Sequence, residues 1–227
     1  MAEESLGQKT IEMDLETFIL SENDKEGLRE LLDVGYVPYE PVCVGVKSTA
    51  KEMTPFIAGM ANRGLGGGAS YGMREKPSGR IIAVMSNFIV TPDDSEIFQE
   101  TKYDEEKSNW YSNVMRNFST GVDVFQGKFK KCLELMILCV HPDYTRRGLA
   151  QELIKLSEEK GREMGCDVAS IQAVNIITYH ISKKLGFEEI RRQEVDTLKD
   201  ENGRPVLDME FMKTNGTTFL SYLTKAL

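Results

Sequence analysis

One segment of the sequence joins an apolar strand, a basic turn and a helix that opens with small residues. The run LELMILCV is followed by the turn HPDYTRR and then by a helical pattern. Backbone N–H groups at such a helix N-terminus point outward and bind phosphate, and arginines add charge-assisted donors. The sequence therefore predicts a diphosphate site formed by Thr145, Arg146, Arg147, Gly148, Leu149 and Ala150.

Two further segments carry side chains suited to chemistry. Asn175 precedes a helix predicted over Ile176 to Lys184 and is a good N-cap, while Gly186 suits its C-terminal end. Glu40 lies in the loop GYVPYEPV, where two prolines restrict the backbone and would hold a carboxylate in place. Taken alone, the loop glutamate fits a solvated position as well as a catalytic one.

The turn resembles the acetyl-CoA motif of the GNAT superfamily. That motif reads Gln/Arg-x-x-Gly-x-Gly/Ala after a strand ending in valine, and Val140, Arg147, Gly148 and Ala150 fit it, whereas Thr145 departs from the Gln/Arg position. The run NIITYHISKKLGF is similar to a second motif of the superfamily, Asn-x-x-Ala-x-x-x-Tyr-x-x-x-Gly-Phe. With the two motifs in this order, the chain resembles members of that superfamily. The resemblance implies acetyl-CoA as the cofactor.

The resemblance also implies roles for individual residues. Main-chain groups of Leu138, Cys139 and Val140 would meet the pantetheine arm, and Asn175 would contact the cofactor in addition to capping its helix. Ser182 stands where many members have the tyrosine that acts as acid.

A branch known from invertebrates, the arylalkylamine N-acetyltransferase-like proteins, instead uses a glutamate before proline and hydroxyl residues in the second motif. The segment YEP and the residues Thr178 and Ser182 match that arrangement. The implied base is Glu40, with Thr178 and Ser182 assisting. Glu134 on the apolar strand is a rival base, and strict alternation would place it on the face of Met136, Leu138 and Val140.

Composition argues against several other classes of protein. The net charge of −8 opposes binding to nucleic acid and suits a cationic small substrate. Four cysteines without CxxC spacing and only two histidines give no support for a metal site. His141 is interpreted as a turn residue and His180 as exposed. No apolar run is long enough to span a bilayer, so a cytoplasmic protein with no membrane partner is expected.

The periodicity of the chain predicts the elements that must position these residues. Strands are predicted at 16–20, 71–75, 80–90, 132–140, 168–174, from 187 and around 206–212, with helices at 21–35, from Thr54-Pro55 to Gly64, 148–164 and 176–184. Trp110, Val114, Met115 and Phe118 fall at helical spacing and are expected to face the core. The glycine run 64–68 is interpreted as a turn.

These elements predict one α/β (α+β) domain with a mixed central sheet of about seven strands flanked by helices, which is the GNAT fold. Residues 1–9 are expected to be a flexible N-terminus and 10–227 a single domain. The function implied is acetyl transfer from acetyl-CoA to a small primary amine, such as an arylalkylamine or polyamine, by a monomer or homodimer. A protein lysine or N-terminal acetyltransferase and a non-catalytic acyl-CoA-binding regulator are the alternatives.

Overall fold

Seven strands and the helices around them define the fold. The computed structural model describes residues 14–94, 105–199 and 203–227, so the predicted flexible segment 1–9 lies outside the described residues. The strands are β1 Leu15–Ile19, β2 Tyr71–Glu75, β3 Ile81–Val90, β4 Cys132–Val140, β5 Val168–Ala173, β6 Glu188–Glu194 and β7 Phe219–Ala226. The α-helices are α1 Lys25–Gly35, α2 Pro41–Gly45, α3 Ala50–Asn62, α4 Glu106–Ser119, α5 Leu149–Glu163, α6 Ile176–Lys184 and α7 Met209–Asn215.

The strands form one mixed sheet in the order β1-β2-β3-β4-β5-β7-β6. Its neighbouring strands are antiparallel except for β4 and β5, which pair in parallel. The predicted mixed sheet of seven strands is confirmed. The β4–β5 ladder ends at the pair Leu135 and Ile171, so the C-terminal half of β4 pairs only with β3. Two parallel strands that separate in this way leave backbone groups of β4 available between them.

A β-bulge at Met136 reverses which face the end of β4 presents. Ser86 pairs with Ile137 and the next residue, Asn87, pairs with Leu135, so Met136 is the extra residue. Leu138 and Val140 consequently pack with the core on the α5 side of the sheet. Glu134 contacts Tyr222, and Tyr222 belongs to the core on the other side of the sheet, under α1, α3 and α4. The prediction that Glu134 shares a face with Leu138 and Val140 was wrong, because strict alternation ignores the bulge.

Two helix boundaries also differ from the prediction. The third helix begins at Ala50 rather than at Thr54-Pro55, because Thr49 caps it and forms a capping box with Glu52. Pro55 therefore lies inside the helix. The proline-rich loop after α1 was predicted to be irregular, but its end forms the short helix α2 with Pro41 in the first turn, where a missing N–H costs nothing.

The C-terminal strand lies later in the chain than the predicted segment 206–212. The segment around 206–212 leads into α7, which Asp208 caps and Gly216 ends in a left-handed conformation. The last strand is β7, which is inserted between β5 and β6 and is buried on both faces over most of its length. Such a strand lacks the alternating pattern that identifies a half-exposed one.

The core lies on both faces of the sheet. Helices α1, α3 and α4 cover one face, and α5 covers the other. Val114, Met115 and Phe118 of α4 are buried as predicted, but Trp110 is 43% exposed and Tyr111 fills the core position instead. Among the described helices, none combines the length and apolarity needed to cross a membrane.

Candidate active site

The basic turn after β4 forms an open N-terminus for α5. Gly148 has a φ of +83° and occupies the N-cap position, so no side chain caps the helix. Thr145 to Gly148 are exposed, and a Cβ added to Gly148 would meet nothing within 4 Å. The first N–H groups of the helix therefore face open space, as an anion site requires. The turn thus fits a diphosphate group, such as the one in coenzyme A.

A cavity of about 420 Å³ starts at this turn and runs to the C-terminal ends of β4 and α1. It brings together the predicted base Glu40, the predicted hydroxyl residue Thr178 and the N-cap Asn175. The predicted cofactor residues that line it are Leu138, Val140, Thr145, Arg146, Gly148, Leu149 and Ala150. Residues from four separate stretches of the sequence therefore share one cavity.

Three predicted residues do not line the cavity. Cys139 is buried on the opposite face of β4, with its thiol 3.9 Å from the Leu31 carbonyl oxygen, so only its main chain can serve as predicted. The Arg147 guanidinium bonds to the carbonyl oxygen of Asp143 at 3.0 Å and lies over the Tyr144 ring. Ser182 is fully buried, and its Oγ atom has no hydrogen-bond partner.

Glu40 is a buried carboxylate that caps helix α2. Its two oxygens accept backbone N–H groups, from Val42 at 3.1 Å and from Cys43 at 2.6 Å, and only 4% of the residue is exposed. Burial raises the pKa of Glu40, although the hydrogen bonds from Cys43 and Val42 oppose the rise. A carboxyl group in this state binds a proton more tightly than an exposed glutamate, which is what a general base near neutral pH needs.

The start of α6 forms the wall beside the turn. Asn175 accepts a hydrogen bond from the Thr178 backbone N–H at 2.7 Å, which confirms that it is the N-cap. Thr178 lines the cavity, whereas Ser182 lies one helical turn further on and is enclosed. Ile177, beside them, is 68% exposed at the cavity mouth.

Glu134, the rival base, occupies a different environment. It is fully buried, accepts a hydrogen bond from Ser170, and lies 3.3 Å from the Tyr222 hydroxyl. Burial raises the pKa of Glu134 to about 7. Tyr222 and Gln172, which both bond to Glu134, line a second cavity of about 200 Å³ on the α4 side of the sheet. Glu134 does not line the cavity that holds the turn and Glu40.

Gly35 and Tyr36, which belong to neither sequence motif, also line the main cavity. The available signal was their position at the end of α1, directly before the loop that holds Glu40. His141 forms a turn with Asp143, and His180 is exposed, as expected. Within the described residues, no three His, Cys, Asp or Glu side chains form a group that could hold a metal ion.

Comparison with known proteins identifies the domain. A sequence model described as the acetyltransferase (GNAT) family matches residues 92–187. These residues form a GNAT acetyltransferase domain. The matched region contains β4, the basic turn and α6, and it shows a GNAT N-acyltransferase domain, of a family that uses acetyl-CoA. A search of curated protein sequences finds no match to this chain.

Solved structures agree with the GNAT fold over nearly the whole chain. Arylalkylamine N-acetyltransferase 2 of Aedes aegypti has a TM-score of 0.82 at 20% identity, with 94% of this chain and 99% of that chain covered. The polyamine N-acetyltransferase of Drosophila melanogaster, an enzyme that forms N-acetylagmatine, gives 0.81 at 19% identity over 94% and 100%. The ribosomal-protein-S18-alanine N-acetyltransferase of Escherichia coli gives 0.50 at 12% identity over 93% of each chain. At these sequence identities, all three comparisons show that the proteins share a fold.

Proposed function

We propose that this GNAT domain transfers an acetyl group from acetyl-CoA to a small primary amine, such as an arylalkylamine or a polyamine, with Glu40 as the general base. The observation that carries the proposal is the single cavity that contains Glu40, the end of β4 and the uncapped turn before α5. In such a cavity a buried carboxylate would accept the amine proton and the uncapped helix N-terminus would hold the diphosphate of acetyl-CoA.

The residues at the end of β4 and in the turn would hold the cofactor. The N–H groups at Gly148 to Ala150 would bind the diphosphate, with Thr145 and Arg146 beside them. The main chain of Leu138, Cys139 and Val140 would bind the pantetheine arm, because β4 has left β5 at this point. Bound acetyl-CoA supplies the activated acetyl group.

Glu40 would remove the proton that prevents the amine from reacting. A primary ammonium group has a pKa of about 10 in water, so its neutral form is scarce at pH 7. Glu40 would accept this proton through water, because only 4% of the residue is exposed. Backbone N–H groups at Val140 would polarise the acetyl carbonyl group. Thr178 would donate a hydrogen bond from its hydroxyl group to the leaving sulfur, whereas the enclosed Ser182 hydroxyl group does not reach the cavity.

The small-amine acceptor is supported by charge and by the structural comparisons. The net charge of −8 favours cationic substrates. The fold is more similar to the two insect small-amine enzymes, at TM-scores of 0.82 and 0.81, than to the bacterial protein acetyltransferase, at 0.50. A cavity of about 420 Å³ lies in the size range of small-molecule sites.

The test is a measurement of coenzyme A release from acetyl-CoA with the purified protein and a panel of acceptors. The panel contains arylalkylamines, agmatine, longer polyamines, and peptides with free lysine or free N-termini. Release with small amines and not with peptides is expected. Release with peptides alone would establish protein acetylation instead, and tight binding of coenzyme A without any release would establish the regulator.

A further inference from the structure

The end of α1 approaches β4 very closely beside the proposed thioester position. A Cβ atom on Gly35 would lie 3.0 Å from the Cys139 sulfur and 3.5 Å from the Val140 carbonyl oxygen. Only a residue without a side chain allows this approach without a shift of its neighbours. The next residue, Tyr36, is half-buried and lines the same cavity as Leu138 and Val140.

The hydroxyl group of Tyr36 contacts a second tyrosine. The side chains of Tyr36 and of Tyr111 in α4 share a hydrogen bond. Tyr111 is 1% exposed, and its ring packs edge-on against Phe56 with 5.2 Å between the ring centroids. A phenolic hydroxyl group can both donate and accept, so the Tyr36 hydroxyl group can make a second hydrogen bond besides the one that it shares with Tyr111.

The superfamily tyrosine that usually lies in the second motif is replaced here by Ser182, which does not reach the cavity. Tyr36 offers a phenolic hydroxyl group from the α1 side of the same cavity. We propose that Tyr36 is a catalytic residue whose hydroxyl group donates a hydrogen bond to the sulfur atom of coenzyme A as negative charge develops on it. This inference rests on the proposed acetyl transfer.

Tyr36 stabilises charge rather than giving up its proton. Burial holds the pKa of Tyr36 well above its usual value, whereas a thiol has a pKa of about 8.5. Complete transfer from the phenol to the thiolate would therefore be uphill. In the balanced reaction the carbon–sulfur bond breaks, the sulfur keeps the electron pair, and the new carbon–nitrogen bond forms. The ammonium group loses one proton to Glu40 and a second to the sulfur by way of solvent.

Removal of the sulfur atom from the ligand tests this contact without measuring turnover. Coenzyme A and desulfo-coenzyme A are titrated calorimetrically into the wild type and into Tyr36→Phe, at a pH about one unit above the thiol pKa of about 8.5. A hydrogen bond to a charged group predicts that the wild type prefers coenzyme A about tenfold and that Tyr36→Phe loses this preference. The pKa of the bound thiol, followed by thiolate absorbance, should rise by about one unit in the variant.

Tyr39→Phe is the matched control, because Tyr39 lines the mouth of the same cavity but is 60% exposed. It should keep the wild-type preference for coenzyme A. Thermal melting establishes that the variants are folded, and Tyr111→Phe, which removes only the hydroxyl group that bonds to Tyr36, should lose part of the preference. If Tyr36→Phe binds both ligands with the wild-type ratio, the role of Tyr36 is overturned while the proposed function stands. If the wild type binds neither ligand, both are overturned.

Discussion

The Glu40 carboxylate accepts the backbone N–H of Cys43 at 2.6 Å, so the proposed base is also the cap of helix α2. The side chain is fixed in place by the helix that it starts. A substitution that removes the capping oxygen would change stability together with chemistry. The informative variant therefore keeps an oxygen at this position.

Glu40→Gln should lower kcat/KM for the best amine by about 10²- to 10⁴-fold, because an amide cannot accept the ammonium proton. The amide oxygen still accepts one of the two backbone N–H groups, but the amide nitrogen cannot accept the other, so the protein should lose about 1–3 kcal/mol of stability while its affinity for coenzyme A stays near that of the wild type. Steady-state kinetics, calorimetry and a thermal melt check the three quantities. Unchanged turnover at the pH optimum would remove Glu40 from the role of base.

Gly148→Ala should weaken the binding of coenzyme A about tenfold, or about 1.4 kcal/mol. The residue has a φ of +83°, which costs an alanine about 1–2 kcal/mol, and the new methyl group would point into the open space above the turn. Gly165 at the other end of α5 has a φ of +75° and equally open surroundings. Gly165→Ala is therefore the control: it should lose similar stability and keep its affinity. Equal affinities in both variants would contradict a diphosphate site at Gly148.

Glu134→Gln should make the protein more stable at pH 8 than the wild type. Burial raises the pKa of Glu134 from 4.5 to about 7, so the folded protein binds this proton more tightly than the unfolded chain. Wild-type stability then falls as the pH rises from 4.5 to about 7, by on the order of 3 kcal/mol from this group. Urea unfolding at pH 5.5 and pH 8 measures the difference between variant and wild type.

The control for that experiment is Glu159→Gln on the exposed face of α5, which should change the unfolding free energy by less than about 0.5 kcal/mol at either pH. A Glu134→Gln protein whose stability relative to the wild type is the same at both values of pH would show that Glu134 is not a buried, proton-binding carboxyl group.

Ser182→Ala should leave the protein as stable as the wild type or stabilise it by about 1 kcal/mol. The Ser182 hydroxyl group is fully buried without a partner, and such a group costs about 1–3 kcal/mol. Thermal or urea unfolding checks the sign. A clear loss of stability would mean that the hydroxyl group has a partner. If Thr178→Ala and Ser182→Ala combined also keep the full rate, neither hydroxyl group assists catalysis.

Much of the fold could be predicted because local patterns determine it. β4 and α6 have the bounds that their apolar runs and caps predicted, and the hairpin of β2 and β3 follows from its turn residues. The errors fall where a local signal was overruled or absent. Thr49 and Glu52 start α3 before the proline that suggested a later start, and β7 is buried on both faces and so shows no alternation.

By itself the sequence determined the turn from Thr145 to Ala150 and the capped start of α6, because each depends on backbone chemistry within a few consecutive residues. Only the tertiary structure decided which acidic side chain lies in the same cavity as the turn and the start of α6. The bulge at Met136 turns Glu134 away from Leu138 and Val140, while the close packing of Gly35 on β4 brings Tyr36 and Glu40 to the same cavity. Both effects arise between strands and helices that are distant in sequence, so no local pattern records them.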